Sequence, residues 1–293
     1  MGFNCADGLS KLLAELSFFL KIKKEKKMID CKHFDRMIQE PISFSKANSK
    51  LKKLAKAKGL YNWTKGKESS IYSWDLLAGW SCPFAHECRS SAVEGEDGKR
   101  KVVDGVYTKF RCYAASQEAR LTNVYQKRKR NYDAMIALSK DNLVSDSDIA
   151  GVLCDALPFC GLVRIHSSGD FFSWKYFSAW MQVCKRNPRI KFYAYTKALV
   201  YVRRYETVFG SLPENFSLVA SRGGSSDNLI TPEMAEAVVV YSEEEAEAKG
   251  LEMDTDDSHA AIGGTKFALL IHGTQPKGSE AQKALVALKG AKK

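Results

Sequence analysis

The chain has no hydrophobic run long enough to cross a bilayer. Its most apolar early stretch, Leu12 to Leu20, is well short of the ~20 residues a spanning helix needs. It also has no secretory segment with a small-residue cleavage site, and Met1-Gly2-Phe3-Asn4-Cys5-Ala6 has alanine where a myristoylation signal wants Ser or Thr. No membrane partner is expected. Cysteine is sparse, with eight residues at positions 5, 31, 82, 88, 112, 154, 160 and 184. That is below the density of a disulfide scaffold, so a reducing cytoplasm is expected and metal binding outranks disulfides. No Walker A sequence, Gly-x-Ser-x-Gly elbow or His-Glu-x-x-His helix is present. Acidic residues are in deficit: 45 Lys and Arg against 34 Asp and Glu leave a formal charge of +11. The excess suits an anionic partner such as nucleic acid or a nucleotide, although a merely soluble basic surface has the same sum.

What is there centres on Ser69 to Ala115. A strand-like run, Ser70-Ile71-Tyr72-Ser73-Trp74, leads through Asp75-Leu76-Leu77-Ala78-Gly79-Trp80 to Cys82 and Cys88, with Cys112 further on. Between them, Arg100 to Val103 and Val106 to Lys109 flank Asp104-Gly105, which reads as a type I′ hairpin with Lys99 opposite Phe110. Such a hairpin, an insertion at 89–111, returns Cys112 to the Cys82/Cys88 loop. Three converging thiols without a fourth protein ligand suit an iron–sulfur cluster with one open iron. With His86 added, the set becomes a candidate tetrahedral zinc site, although His86 is closer to Cys88 than zinc ligands usually stand. Three small buried residues would be the plain reading of the same cysteines.

Downstream the chain alternates. Tyr113 to Leu138 reads as one long helix with a basic surface. Strands are expected at Leu162 to His166, Ile190 to Tyr195, Phe216 to Ala220, Ala237 to Tyr241 and Lys266 to His272. Helices are expected at Ser173 to Cys184, Ala198 to Phe209, Glu243 to Lys249 and Ser279 to Leu288. With the strand before Cys82 this makes six βα units. The expected fold is α/β, a parallel sheet forming either an open doubly wound sheet or a partial (β/α)6 barrel. A basic, largely helical N-terminal extension occupies 1–66, with an amphipathic helix in 1–30 and a second basic stretch at 44–58; the α/β domain follows at 67–293. In either arrangement chemistry sits at the C-terminal strand ends. There the sequence places the cysteines, then His166-Ser167-Ser168-Gly169-Asp170, Thr196-Lys197, Ser221-Arg222-Gly223-Gly224, Tyr241-Ser242 and His272-Gly273.

Gly169 permits close backbone approach, and Asp170 can accept from a ligand's hydroxyl or ammonium group; helix capping is the competing role. The glycines after Arg222 offer backbone N–H groups to a carboxylate or phosphate. Asp254 to His259 lacks the glycine and distal glutamate of an EF-hand and reads as a solvated acidic loop. A metal-dependent nuclease built on Asp170, His166 and Lys197 ranks last, because carboxylates are few at those strand ends.

The segments SWDLLAGWSCPFAHEC, FRCYAASQEAR, RIHSSGDFFSWKYFSAW and FYAYTKA resemble a bacteriophage family, gene product eighty-eight, over roughly Tyr72 to Gly224. More distantly, a strand, three cysteines and a glycine-acidic turn after the second strand resemble the radical S-adenosylmethionine superfamily. That resemblance implies a [4Fe–4S] cluster on Cys82, Cys88 and Cys112, with S-adenosylmethionine on the open iron and an external electron donor. It further implies a cofactor-contacting set of Tyr113, His166, Ser168, Gly169, Asp170, Thr196, Lys197, Ser221 and Arg222. Within it, Gly169-Asp170 faces the methionine amino group and Ser221 or Arg222 the carboxylate or ribose. Reductive cleavage would yield a radical that abstracts hydrogen from the substrate. The spacing here is Cys-x₅-Cys-x₂₃-Cys instead of Cys-x₃-Cys-x₂-Cys, and Ser-Gly-Asp stands for Gly-Gly-Glu. The functional expectation is an iron–sulfur enzyme acting on an anionic nucleotide or nucleic-acid substrate; the alternative is a zinc-stabilised nucleic-acid-binding protein.

Overall fold

A computed structural model describes residues 37–56 and 71–290. The helix expected in 1–30 lies outside the described residues. The strands are β1 (Ser45–Lys46), β2 (Ile71–Trp74), β3 (Ser90–Glu94), β4 (Arg100–Asp104), β5 (Leu162–Ile165), β6 (Lys191–Thr196), β7 (Phe216–Ser221), β8 (Ala235–Val240), β9 (Glu252–Met253) and β10 (Lys266–Leu270). The helices are α1 (Ser49–Lys56), α2 (Tyr113–Arg120), α3 (Thr122–Lys140), α4 (Asp146–Ala156), α5 (Trp174–Arg186), α6 (Leu199–Phe209), α7 (Glu243–Ala248), α8 (Ser258–Ile262) and α9 (Glu280–Gly290).

One eight-stranded sheet runs β1-β2-β5-β6-β7-β8-β10-β9, parallel throughout except for the β1–β2 pair. The six longer strands stand side by side in chain order, with no reversal. That excludes the doubly wound alternative, in which the strand order turns back at a switch point. Parallel strands covered on both faces read as apolar runs, which is why these six are visible in the sequence. Tyr72, Trp74, Val163, Ile165, Phe192, Ala194 and Phe216 turn to one face, against α3 to α6. Ile71, Leu162, Tyr193, Val219, Ala237 and Phe267 turn to the other, with Leu51 and Leu54 of α1 and Ala260 and Ala261 of α8. The basic stretch at 44–58 therefore contributes β1 and a helix whose leucines are core.

Two expectations need correction. The hairpin exists, but β3 pairs with β4 so that Glu94 faces Arg100, and the chain turns at 95–99. Gly98 takes the left-handed conformation there (φ 70°), and the Gly95 amide donates to the Lys99 carbonyl. Gly105 has no positive φ; its amide donates to Arg89 O, while the Asp104 carboxylate accepts from Arg111. The pair at Asp104-Gly105 is thereby taken out of turn service. The long helix expected from Tyr113 also breaks, at the extended Leu121. Arg100 supplies the reason: its Nε donates to the Glu118 carbonyl at 3.0 Å, the acceptor that a continuous helix would give to the Thr122 amide. Its guanidinium also donates to Thr122 Oγ1 and covers the Tyr125 ring.

Candidate functional site

Beyond β2, the chain turns through Gly79 into the Cys82–Cys88 loop, which is bound to the far side of the sheet's C-terminal edge. The His86 and Glu87 amides donate to Gly223 O, and the Ser225 amide donates to Phe84 O. Cys112 arrives from the other direction. The Lys109 and Phe110 amides donate to Glu87 O, the Cys112 amide donates to Ser90 Oγ, and Cys112 is the N-cap of α2. The three thiols lie within electrostatic reach of one another. Burial pushes the Cys82 thiol well up, and charge on Asp170, Cys112 and Cys88 adds to it. Burial and charge on Cys88 push Cys112 up to about 11, against the opposing pull of the Ala115 and Ala114 amides at the start of α2. Among the described residues, no three His, Cys, Asp or Glu side chains are arranged as a metal-holding group. His86 is exposed and stacks on Tyr107 at 4.3 Å.

Glu118, which the sequence did not single out, ties this loop to the next strand end. Its carboxylate accepts from the Ala78 amide, Ser168 Oγ (3.0 Å) and Arg128 (3.0 Å), all buried. Burial raises its pKa despite Arg128. Gly169 (φ 93°) lies against the same loop: a Cβ there would stand 2.5 Å from Ser81 Oγ and 2.8 Å from Leu76 Cβ. Tyr113 donates to Ser167 O at 2.5 Å and packs its ring on His272 at 4.8 Å.

The remaining expected contact residues are together, but bonded to each other. Asp170, placed opposite a ligand's ammonium by the resemblance, instead accepts from Thr196 Oγ1 (2.6 Å), the Lys197 amide (2.8 Å) and the Phe171 amide (2.7 Å). Lys197 Nζ donates to Ser221 O (3.0 Å), Ser221 Oγ (2.7 Å) and Arg222 O (2.8 Å). Arg222 in turn pairs with Glu236. This chain of bonds ties the C-terminal ends of β5, β6 and β7 to the start of β8. His166 is buried on the helix side between Phe171 and Tyr176.

A second polar cluster escaped the sequence reading. The register sets Ser73, Arg164, Tyr193 and Ser217 in one row across β2, β5, β6 and β7. Over that row stands Asp257, fully buried, accepting from Arg164, from Lys50 of α1 (2.6 Å) and from Tyr193 (3.0 Å) and Tyr195 (3.2 Å). The acidic loop expected in solvent is thus an interior anchor. The available signal was Arg164 itself, a lone cation inside a buried-type strand.

A parallel α/β sheet with a cysteine loop fastened across its C-terminal edge defines the class. The chain belongs to the Gene product 88 family, whose model matches residues 43–289, covering the sheet, the hairpin and the cysteine loop. The Gene 88 protein of Mycobacterium phage L5 is 46% identical over 52 residues, 17% of this chain and 22% of that protein. The similarity therefore spans less than a quarter of that relative's length, and it sets the chain among bacteriophage gene products. No solved structure matches. Among the described residues, no helix is long and apolar enough to cross a membrane.

Proposed function

We propose that this protein holds an iron–sulfur cluster on Cys82, Cys88 and Cys112 and acts on an anionic substrate, after the manner of radical S-adenosylmethionine enzymes. One observation carries the reading: three thiols from two separate segments gather at the C-terminal edge of a parallel sheet, where βα proteins keep their chemistry. The unreversed strand order supports the partial (β/α)6 barrel that the reading calls for. The donor set taken here is three thiols, and His86 is stacked on Tyr107; three thiolates with an open fourth position suit a cluster better than a tetrahedral zinc ion. Such a cluster, when bound, supplies one-electron chemistry.

The protein's own contribution is to shape the site. The α2 N-terminus favours negative charge at Cys112. Glu118 and Gly169 lock the cysteine loop onto the β5 end, and the Asp170–Lys197–Ser221 clamp fixes the adjoining strand ends. Burial keeps the Cys82 and Cys112 thiols protonated at neutral pH, so ligation releases protons and loading improves as pH rises.

Anaerobic purification with iron, sulfide and zinc analysis tests the proposal. About four irons and four sulfides per chain, with a visible band that bleaches on reduction, are expected. Cys82→Ala and Cys112→Ala should lose them alike, whereas Cys184→Ala, buried in α5, should keep them. One zinc and no colour would replace the cluster with a structural metal, and equal metal retention in all three variants would end the three-thiol reading.

A further inference from the structure

Arg111 stands one residue before Cys112, outside any strand or helix, so its backbone amide and carbonyl need partners from elsewhere. One side chain supplies both from 164 residues away. The Arg111 amide donates to Gln275 Oε1 at 2.7 Å, and Gln275 Nε2 donates back to Arg111 O at 3.1 Å. A carboxamide carries a donor and an acceptor side by side, as a peptide group does, so Gln275 takes the place of a missing strand neighbour. The same Nε2 donates to His272 O at 3.0 Å, which closes the 272–275 turn on itself. Gln275 is buried, although glutamine is mostly a surface residue.

The contact is broader than one side chain. The loop follows β10, the last of the six long strands, and the segment it meets follows the cysteine loop of β2, the first. Gly273 (φ 82°) comes so close that a Cβ there would lie 3.0 Å from Tyr113 Cβ, beside the His272–Tyr113 ring contact. Ser116 Oγ donates to Thr274 O at 3.5 Å, and Tyr241 Oη, just past β8, donates to Lys109 O at 3.4 Å. On its other side the Cys112 segment is bonded to Glu87 O and Ser90 Oγ. Cys112 is thus suspended between two supports.

We infer that the loop after β10 is a brace, and that Gln275 is the positioning residue by which it holds Cys112 opposite Cys82 and Cys88. A site assembled from separate segments keeps its geometry only where the residues behind the ligands are themselves fixed. Cys82 and Cys88 share a loop fastened to Gly223 and Ser225, whereas the third thiol takes its support from the far end of the chain. The inference deepens the proposed function, on which it rests for the use made of the thiols. The positioning itself belongs to the metal-free protein.

The test is alkylation of the full-length protein, reduced and freed of metal by chelation, with dibromobimane, which bridges two neighbouring thiols and fluoresces once both bromides are displaced. Peptide mapping identifies the bridged pairs, and iron is measured on anaerobically purified samples of the same proteins. In the parent protein Cys112 is expected to be bridged to Cys82 or Cys88. Gln275→Met keeps the side chain's length and removes its hydrogen bonds; it should reduce bridging to Cys112 several-fold and spare the Cys82–Cys88 bridge. His272→Ala, which removes the ring packed on Tyr113, should reduce it less. Asn215→Ala controls for stability alone, since it removes bonds to Cys184 O, Asn187 O and Ile190 O at the other end of the sheet. It should lower the melting temperature and leave bridging to Cys112 intact. Bridging to Cys112 that is absent from the parent, unchanged in Gln275→Met, or lost as fully in Asn215→Ala overturns the brace. Iron-free parent protein whose Cys112 bridge depends on Gln275 would retire the cluster while leaving the brace in place. Iron-loaded protein in which Gln275→Met alters neither bridge nor iron content would do the reverse.

Discussion

His166 shows how one buried side chain can be assigned a proton and a pH response. It sits at φ 71°, a left-handed conformation that a non-glycine residue adopts only when its surroundings impose it. Trp74 Nε1 donates to Tyr176 Oη at 2.7 Å, and an indole can do nothing else. The tyrosine proton is therefore free to go to His166 Nε2, 2.9 Å away, which leaves the imidazole proton on Nδ1, a buried atom without a partner. Burial, reinforced by the Arg164 charge, holds the His166 pKa down to about 3. The unfolded chain takes up a proton near pH 6.5 while the folded chain resists until about pH 3. Stability is thus complete above the unfolded pKa and falls as pH drops through that window, by about 2 kcal/mol between pH 7 and pH 5. His166→Asn tolerates the left-handed backbone and does not titrate, so urea denaturation at the two pH values should show a much flatter dependence. An unchanged slope would place the response in other groups. The sequence exposed His166 as a polar residue at a strand's end but not Arg164 within the strand; their partners lie on α5 and at the N-cap of α8, and no local pattern encodes them.

Among elements, the β3–β4 hairpin separates what short-range signals can and cannot decide. Two Asp-Gly pairs compete, 97–98 and 104–105, and each alone is a valid turn. The outcome is set by Arg111, which claims the Asp104 carboxylate, and by Arg89, whose carbonyl claims the Gly105 amide. Gly98 then carries the left-handed residue with open space around it, so replacing it has only a backbone cost. Gly98→Ala should destabilise by about 1 kcal/mol, with faster hydrogen exchange confined to β3 and β4, whereas Gly98→Asn should lose less. If Gly98→Ala left those amides unchanged, the turn would lie elsewhere. The same distinction explains the other elements. The six long strands and α5 were legible because burial writes apolar runs and stripes into them. The two-residue strands β1 and β9, and the break between α2 and α3, were not, because tertiary partners alone create them.

At the scale of the molecule, the two faces of the sheet are held by different means. On the helix side, aromatic packing dominates, with Phe44, Trp74 and Trp180 in mutual contact at ring separations of 5.0 to 6.3 Å. On the other side, Asp257 gathers α1 through Lys50, β5 through Arg164 and β6 through Tyr193 and Tyr195. Burial favours a protonated carboxyl there, but the Arg164 and Lys50 charges override it and hold the Asp257 pKa below the usual carboxylate range. Its contribution is therefore fully present above the unfolded value near 4 and disappears only as pH falls through the lower folded value. Removing the charge strands two cations, one of them embedded. Asp257→Asn should then destabilise by about 3 kcal/mol or more, and the α1 amides, released from Lys50's anchor, should exchange with solvent before those of α5. An exposed acidic control, Glu243→Gln, should change neither. A loss that appeared equally in α1 and α5 would mean that Asp257 supports the whole sheet and not one wall of it.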